Sequence, residues 1–256
     1  QPALAESWEV SEDGLKYTFK LREGVKWVDS QGREVADVKA DDFVAGMQHM
    51  MDAMGGLEYL IEGIIVNASE YINREVTDFA EVGVKALDDY TVEYTLEAPC
   101  SYFMTMLSYS IFAPMSRSYY ESQGGKFGAE YDTSAADYTY GTSKDTIAYC
   151  GAFLCTNHTP GNVMSFQANP TYWNAENQNI KTLTYTFNDG SDPTKAYNDM
   201  LAGTIDGCTF TGTNGTNYDY GMVFHSVYNI VVKNTIGTNL YDLVYGRGSV
   251  DGFTAE

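Results

Sequence analysis

Cysteine, histidine and basic side chains are all scarce in this chain of 256 residues, and it has no long apolar run. Four Cys are too few for a disulfide-dense miniature scaffold. Fifteen Lys and Arg against 35 Asp and Glu leave a formal charge of −20. That balance excludes a nucleic-acid binder, whose affinity comes mainly from neutralising phosphates, and equally a protein that docks on an anionic membrane surface. No apolar stretch reaches the ~18 residues a membrane helix needs; the best, around Ile64 to Val66, is short. Three His, none with a partner at metal-ligand spacing, and the absence of H-E-x-x-H or paired C-x-x-C motifs argue against zinc. There is no nucleophile elbow, since Gly141-Thr-Ser143-Lys-Asp145 lacks the second Gly, and no P-loop; Gly246-x-Gly248-x-x-x-Gly252 misses the dinucleotide fingerprint. No cofactor is expected.

What is present is a globular composition rich in aromatics. Hydrophobic residues make up 44%, too many for a disordered acidic tail, and Tyr alone counts 21. Tyrosine offers a flat apolar body plus a hydroxyl, which suits a cleft for peptides or sugars; the plainer reading has residues such as Tyr17 and Tyr94 facing solvent across sheets.

Along the chain, Leu15, Tyr17, Phe19 and Leu21 alternate with Lys16, Thr18, Lys20 and Arg22, the period of a half-buried strand. With Glu12-Asp13-Gly14 as a turn, Ser7–Val10 and Leu15–Leu21 form a predicted hairpin. Ala40-Asp-Asp-Phe43 opens a helix with Phe43, Val44, Met47, Met50, Met51 and Met54 on one stripe, closed by Gly55-Gly56. Its methionines read as core packing and its His49 as polar-sided. A second helix is predicted from Leu57 to about Arg74. A second hairpin follows, Val82–Ala86 with Tyr90–Leu96, then a short helix from Tyr102 to Tyr109. Gly124 to Thr146 reads as a long surface segment and a domain boundary. Strands are predicted at Ile147–Leu154, Val163–Gln167, Thr182–Asn188, Ile205–Phe210 and near Ile230 and Leu240. Asp192-Pro193 caps a helix running to Ala202, and a Gly/Asn/Thr loop follows Phe210. Together these give a mixed α/β class. If Cys150 to Cys155 is one extended strand, the two Cα atoms lie ~16 Å apart, beyond the roughly 7 Å that a disulfide allows. The two ends, strand-like and without tails, read as those of a fragment.

One set of motifs goes further. Pro2-Ala-Leu-Ala-Glu-Ser-Trp8 through Leu15-Lys-Tyr17-Thr-Phe-Lys-Leu-Arg22-Glu-Gly-Val-Lys-Trp27 is followed in order by Ala40-Asp-Asp-Phe-Val44, Val84 to Leu96, Pro99 to Phe103, Gly151-Ala-Phe, Asn169-Pro-x-Tyr-Trp173 and Ala202-Gly-Thr-Ile-Asp206-Gly. This series resembles the family 5 extracellular solute-binding proteins, the oligopeptide, dipeptide and nickel receptors of ABC importers. The match is weak after Thr211. The resemblance implies a periplasmic-binding-protein type II-like lobe fragment: residues 1–149 as the family's extra α+β subdomain, 150–234 as part of lobe one, and 235–256 as the approach to the hinge, with lobe two missing. It implies a monomeric, non-enzymatic receptor, periplasmic or lipid-anchored at the cell surface, that encloses a small peptide between lobes and hands it to ABC permease subunits. Carried over residue by residue, Tyr109, Thr209, Phe210 and, near the hinge, Tyr241 are the expected ligand-binding positions. An oligosaccharide or a nickel chelate in the same fold is the alternative ligand. From another class, an acidic hydrolase using a carboxylate pair is the alternative activity.

Overall fold

The computed structural model describes residues 3–187 throughout, with Ser191, Asp192, Thr194 and Asn198 and the backbone of six short strands beyond them. It divides into two compact units, Gln1–Thr186 and Phe187–Glu256. The division falls inside the span 150–234 that the resemblance assigns to lobe one.

The first unit is built on an antiparallel sheet in the order β1-β2-β6-β5: β1 (Ala5–Val10), β2 (Lys16–Leu21), β5 (Val84–Asp88) and β6 (Thr91–Thr95). Both expected hairpins form, and they join through β2 and β6, with Phe19 opposite Val92 and Tyr17 opposite Tyr94. Alternation puts Tyr17, Phe19, Leu21, Val92 and Tyr94 on one face, where all five are buried. This corrects the expectation that Tyr17 and Tyr94 face solvent: their face of the sheet is covered by the apolar side of α1 (Ala40–Ala53) and by Phe103 of α3 (Phe103–Met106). A two-stranded ribbon, β3 (Lys26–Val28) with β4 (Glu34–Asp37), leads into α1.

Helix α1 follows its predicted stripe as far as Met51, while Met54, expected on the same stripe, is exposed. Met47 and Met51 are buried in the core, and the helix ends at Met54 in the left-handed region, one residue before the Gly pair. The predicted helix from Leu57 to Arg74 does not form as one element. A 3-10 turn (Glu58–Leu60) and a short helix, α2 (Ala68–Ile72), flank a run of turns with one isolated bridge, Ile65 to Leu96. Gly63 and Asn67 take positive φ (67° and 56°), which a helix cannot contain. Between them Val66 N donates to Thr95 O (3.0 Å) and Glu97 N to Ile64 O (2.9 Å), so the backbone continues the edge of β6. Ile61 and Ile65 are still fully buried: the apolar residues found the core while strand pairing overrode the helical period.

Gly124 to Thr146 is irregular, as expected. It is nevertheless packed: Phe127, Tyr138 and Tyr140 rest on a small core of Ala45, Met115 and Tyr120, the last from α4 (Arg117–Ser122). Tyr149 pairs with Val28 (N–O 2.7 and 2.8 Å), the chain bends at residues 151–152, and a second antiparallel sheet begins, β7 (Phe153–Thr159), β8 (Val163–Ala168) and β9 (Thr182–Thr186). Cys150 and Cys155 are thus not on one strand, and both are free thiols. Asn169 holds the bend: its side-chain amide donates to Gly151 O (2.9 Å) and its backbone N to Ala152 O (2.8 Å).

In the second unit the described strands pair in parallel: β10 (Thr209–Thr211) with β13 (Ile236–Thr238), β11 (Tyr220–His225) with β14 (Asp242–Arg247), and β12 (Val231–Val232) with β15 (Thr254–Ala255). Strand β11 lies between the predicted Gly/Asn/Thr loop and the strand predicted near Ile230, in residues to which the sequence reading gives no element. Asp192 caps as expected, accepting from Thr194 N at 2.8 Å, and Asn198 N donates to Thr194 O. The rest of that predicted helix lies outside the described residues. No described helix is long and apolar enough to cross a membrane.

Candidate functional site

Of the four expected ligand-binding residues, Tyr109 is the one whose side chain is described. Upstream of it, Phe103 packs between Tyr17, Tyr94 and Phe112 at ring distances of 4.8, 5.6 and 6.0 Å, which fixes α3 against the sheet. Tyr109 then precedes a 3-10 turn (Ser110–Phe112), its N donating to Met106 O (2.9 Å) and its carbonyl accepting from Phe112 N (3.1 Å). The backbone is clamped on both sides, while the side chain is about half exposed (51%). This is a rigidly mounted aromatic ring presented to solvent, which a binding wall requires. Thr209 and Phe210 lie on β10, opposite Ile236 and Gly237, and Tyr241 lies outside the described residues. Tyr109 and the Thr209–Phe210 pair therefore belong to different units.

A cavity of about 370 Å³ opens beside this turn, between Gly46, His49 and Met50 of α1 and the segment Ser110, Ile111, Ala113 and Met115, with Tyr140 on its rim. Gly46 sets its floor. A Cβ there would come within 2.5 Å of Ala113 O, so only glycine lets the segment run this close to the helix. His49, expected on the polar side of α1, is packed inside a ring of tyrosines, with Tyr120, Tyr131 and Tyr140 at 5.0, 5.7 and 6.2 Å. Burial holds its imidazole below the ordinary range and pushes Tyr140 up to about 12. The run of tyrosines, Tyr119 and Tyr120 just before the segment read as surface and Tyr131, Tyr138 and Tyr140 within it, was the available signal for this cluster.

Two buried carboxylates on α1, Asp42 and Asp52, are occupied structurally. Asp42 accepts from Trp27 Nε1 (2.8 Å), Lys39 N (2.8 Å) and Arg117 N (3.0 Å), and burial raises its acid above the usual carboxylate range. Asp52 accepts from Gly128 N (2.7 Å), Tyr71 Oη (3.0 Å) and Arg74 Nη1 (3.3 Å). Neither has an oxygen without a donor. Burial pushes the Cys150 thiol up to about 12, far from a reactive thiolate. Among the described residues no three His, Cys, Asp or Glu gather as a metal site.

Several of the family-like motifs meet in space as staples. Trp27 reaches Asp42, and Arg22 lies over the Trp173 ring at 4.1 Å while its Nε donates to Ala3 O (2.7 Å). Residues 1–224 match the family described as bacterial extracellular solute-binding proteins, family 5 Middle. The chain belongs to that family. This family 5 chain is 40% identical over 191 residues to the oligopeptide-binding protein AmiA of Streptococcus pneumoniae, covering 75% of this chain and 27% of AmiA. It is 33% identical over 189 residues to the periplasmic oligopeptide-binding protein OppA of Salmonella typhimurium, covering 72% of this chain and 31% of OppA. Among solved structures, the Haemophilus influenzae OppA complex with RPPGFSPFR superposes with a TM-score of 0.67 at 29% identity, over 80% of this chain and 36% of that one. The family 5 chain thus spans roughly a third or less of the length of these relatives, which are binding proteins rather than enzymes.

Proposed function

We propose that this chain is one wall of a peptide receptor, the capture component of an ABC importer. The whole receptor binds an extracytoplasmic oligopeptide in a cleft between two lobes and delivers it to membrane permease subunits. The observation that carries this reading is family 5 membership together with the likeness to an OppA solved with RPPGFSPFR. Residues 1–149 correspond to the extra subdomain, 150–234 to part of lobe one and 235–256 to the approach to the hinge. Tyr109, Thr209, Phe210 and Tyr241 face the ligand in this reading. The half-exposed Tyr109 ring on a clamped backbone supports its part.

Enclosure between lobes supplies both exclusion of water and partners for the peptide's charged ends. A chain with one wall lacks both, and its −20 charge repels a peptide carboxylate. Calorimetric titration of di- to pentapeptides into this chain is expected to give affinities no tighter than about millimolar, and into a two-lobed parent about micromolar, a difference of ~4 kcal/mol. Tyr109→Ala in the parent is expected to weaken binding while leaving the melting temperature unchanged. A micromolar peptide complex of the isolated chain would overturn the one-wall account, and a parent that binds none of the peptides would overturn the peptide assignment.

A further inference from the structure

His49 Nδ1 is buried in the structure without a hydrogen-bond partner. The imidazole meets Tyr120 of α4 and Tyr131 and Tyr140 of the segment 124–146, so it is a point at which that irregular segment rests on α1. A second anchor lies one turn further along the same helix, where Gly128 N donates to Asp52 Oδ2, and Phe127, Tyr138 and Tyr140 also pack on the cluster that includes Ala45 of α1. We propose that the segment 124–146 is latched onto α1 by a neutral His49 and lets go when that side chain takes a proton in mildly acidic surroundings.

The groups around the ring offer little to an imidazolium. From its own helix there is Asp52, whose carboxylate already serves Tyr71, Arg74 and Gly128. From α4 comes Tyr120, and from the segment Tyr131 and Tyr140, with Tyr138 behind Tyr120; burial raises all four hydroxyls, so none is an anion at any pH near neutrality. The remaining cavity wall, Ser110, Ile111, Ala113 and Met115, carries no charge. Protonation makes both ring nitrogens donors, and Nδ1 has no acceptor to meet. His49 lines the cavity beside α1, which gives protons a route without global unfolding.

Burial lowers the imidazole's pKa below its ordinary 6.5, so in mild acid the unfolded segment holds more protons than the folded one. The latch is therefore complete above about pH 6.5 and weakens as pH falls through the window below it. Hydrogen exchange of the chain by mass spectrometry, corrected for intrinsic rates, tests this at pH 7.5 and 5.0. Peptides covering 124–146 are expected to lose about tenfold in protection at the lower pH, those from β2 and β6 to keep theirs, and His49→Phe to abolish the difference. Equal protection in the unsubstituted chain at both values, or the same loss in His49→Phe, would overturn the proposal. Should His49→Phe fail to fold, an NMR titration of the unsubstituted chain's imidazole Cε1–H signals decides, with His158→Gln and His225→Gln as assignments. A His49 signal titrating clearly below 6.5 supports the latch. One titrating at or above 6.5 means that the tyrosine faces stabilise the cation, and the latch is refuted.

Discussion

Replacing Asp42 by Ala probes the joint on which the first unit turns. Asp42 sits in the first turn of α1, where its carboxylate reaches back to Lys39 N, a helix-start contact that elsewhere contributes about 1 kcal/mol. The same group receives Trp27 Nε1 from the β3 ribbon and Arg117 N from the start of α4, while Asp42 O accepts from Met115 N at 2.9 Å. Trp27 is only 4% exposed, so its orphaned N–H would find no water, at a cost of about 1–3 kcal/mol. Against these losses stands relief from keeping a buried charge, the cause of the raised acid. The net expectation is about 2–4 kcal/mol, or ~5–15 °C at the ~2–4 °C per kcal/mol typical of this size. Thermal melts at neutral pH, followed by far-ultraviolet circular dichroism and by Trp fluorescence, read it directly. Asp42→Asn, isosteric and uncharged, removes the charge but keeps one acceptor oxygen and turns an NH2 toward the donors of the other, so its pH dependence rather than its absolute stability is the control. Because the folded acid is raised, the native state holds its proton more tightly than the unfolded chain. The parent should therefore lose stability relative to the Asn variant as pH rises from below 3.8 through the raised value, and hold constant above it. An Ala variant that melts within about 2 °C of the parent would refute the account of Asp42 as a joint.

Two further outcomes are expected. Gly46→Ala should destabilise by about 1–3 kcal/mol even though Ala gains up to ~1 kcal/mol in helix propensity, because the new methyl meets Ala113 O; urea melts showing a gain would contradict the close approach. Asp52→Ala should cost about 3–5 kcal/mol by stranding Tyr71 Oη, Gly128 N and Arg74, whereas Asp89→Ala, which removes the exposed Lys39 pair, should cost less than about 1 kcal/mol; equal midpoints for the two variants would show that burial is not deciding the difference.

Sequence reading succeeded where one interaction dominated. The hairpins were legible because alternation and turn chemistry are local, and α1 because a stripe of Phe, Val and Met spans its full length. Residues 57–74 carried an equally good helical stripe, but Gly63, Asn67 and pairing with the end of β6 decided their backbone, and that pairing is visible only once the sheet exists. The motifs that resemble the family proved partly structural: Trp27 with Asp42, Arg22 with Trp173, and Asn169 with the bend at Gly151 hold elements together. This explains why the family was easier to read than the site. Tyr109 was nominated by carry-over, and the structure shows a clamped backbone at that position. His49 was missed because its surroundings come from a segment with no periodicity at all.

The seam between β2 and β6 also governs how the first unit can be made. Each flanking hairpin closes over a few residues and forms within about 1–10 μs. The seam joins Lys20 to Thr91, 71 positions apart, so it has to wait until α1 and everything between has been synthesised and brought round. Until the two hairpins dock, β2 and β6 are both open edges whose apolar faces carry Tyr17, Phe19, Val92 and Tyr94. Such edges pair readily with other chains. During synthesis the first hairpin therefore leaves the ribosome as an unfinished half-sheet. That exposure ends once β6, through Thr95, has cleared the ribosome and docked on β2.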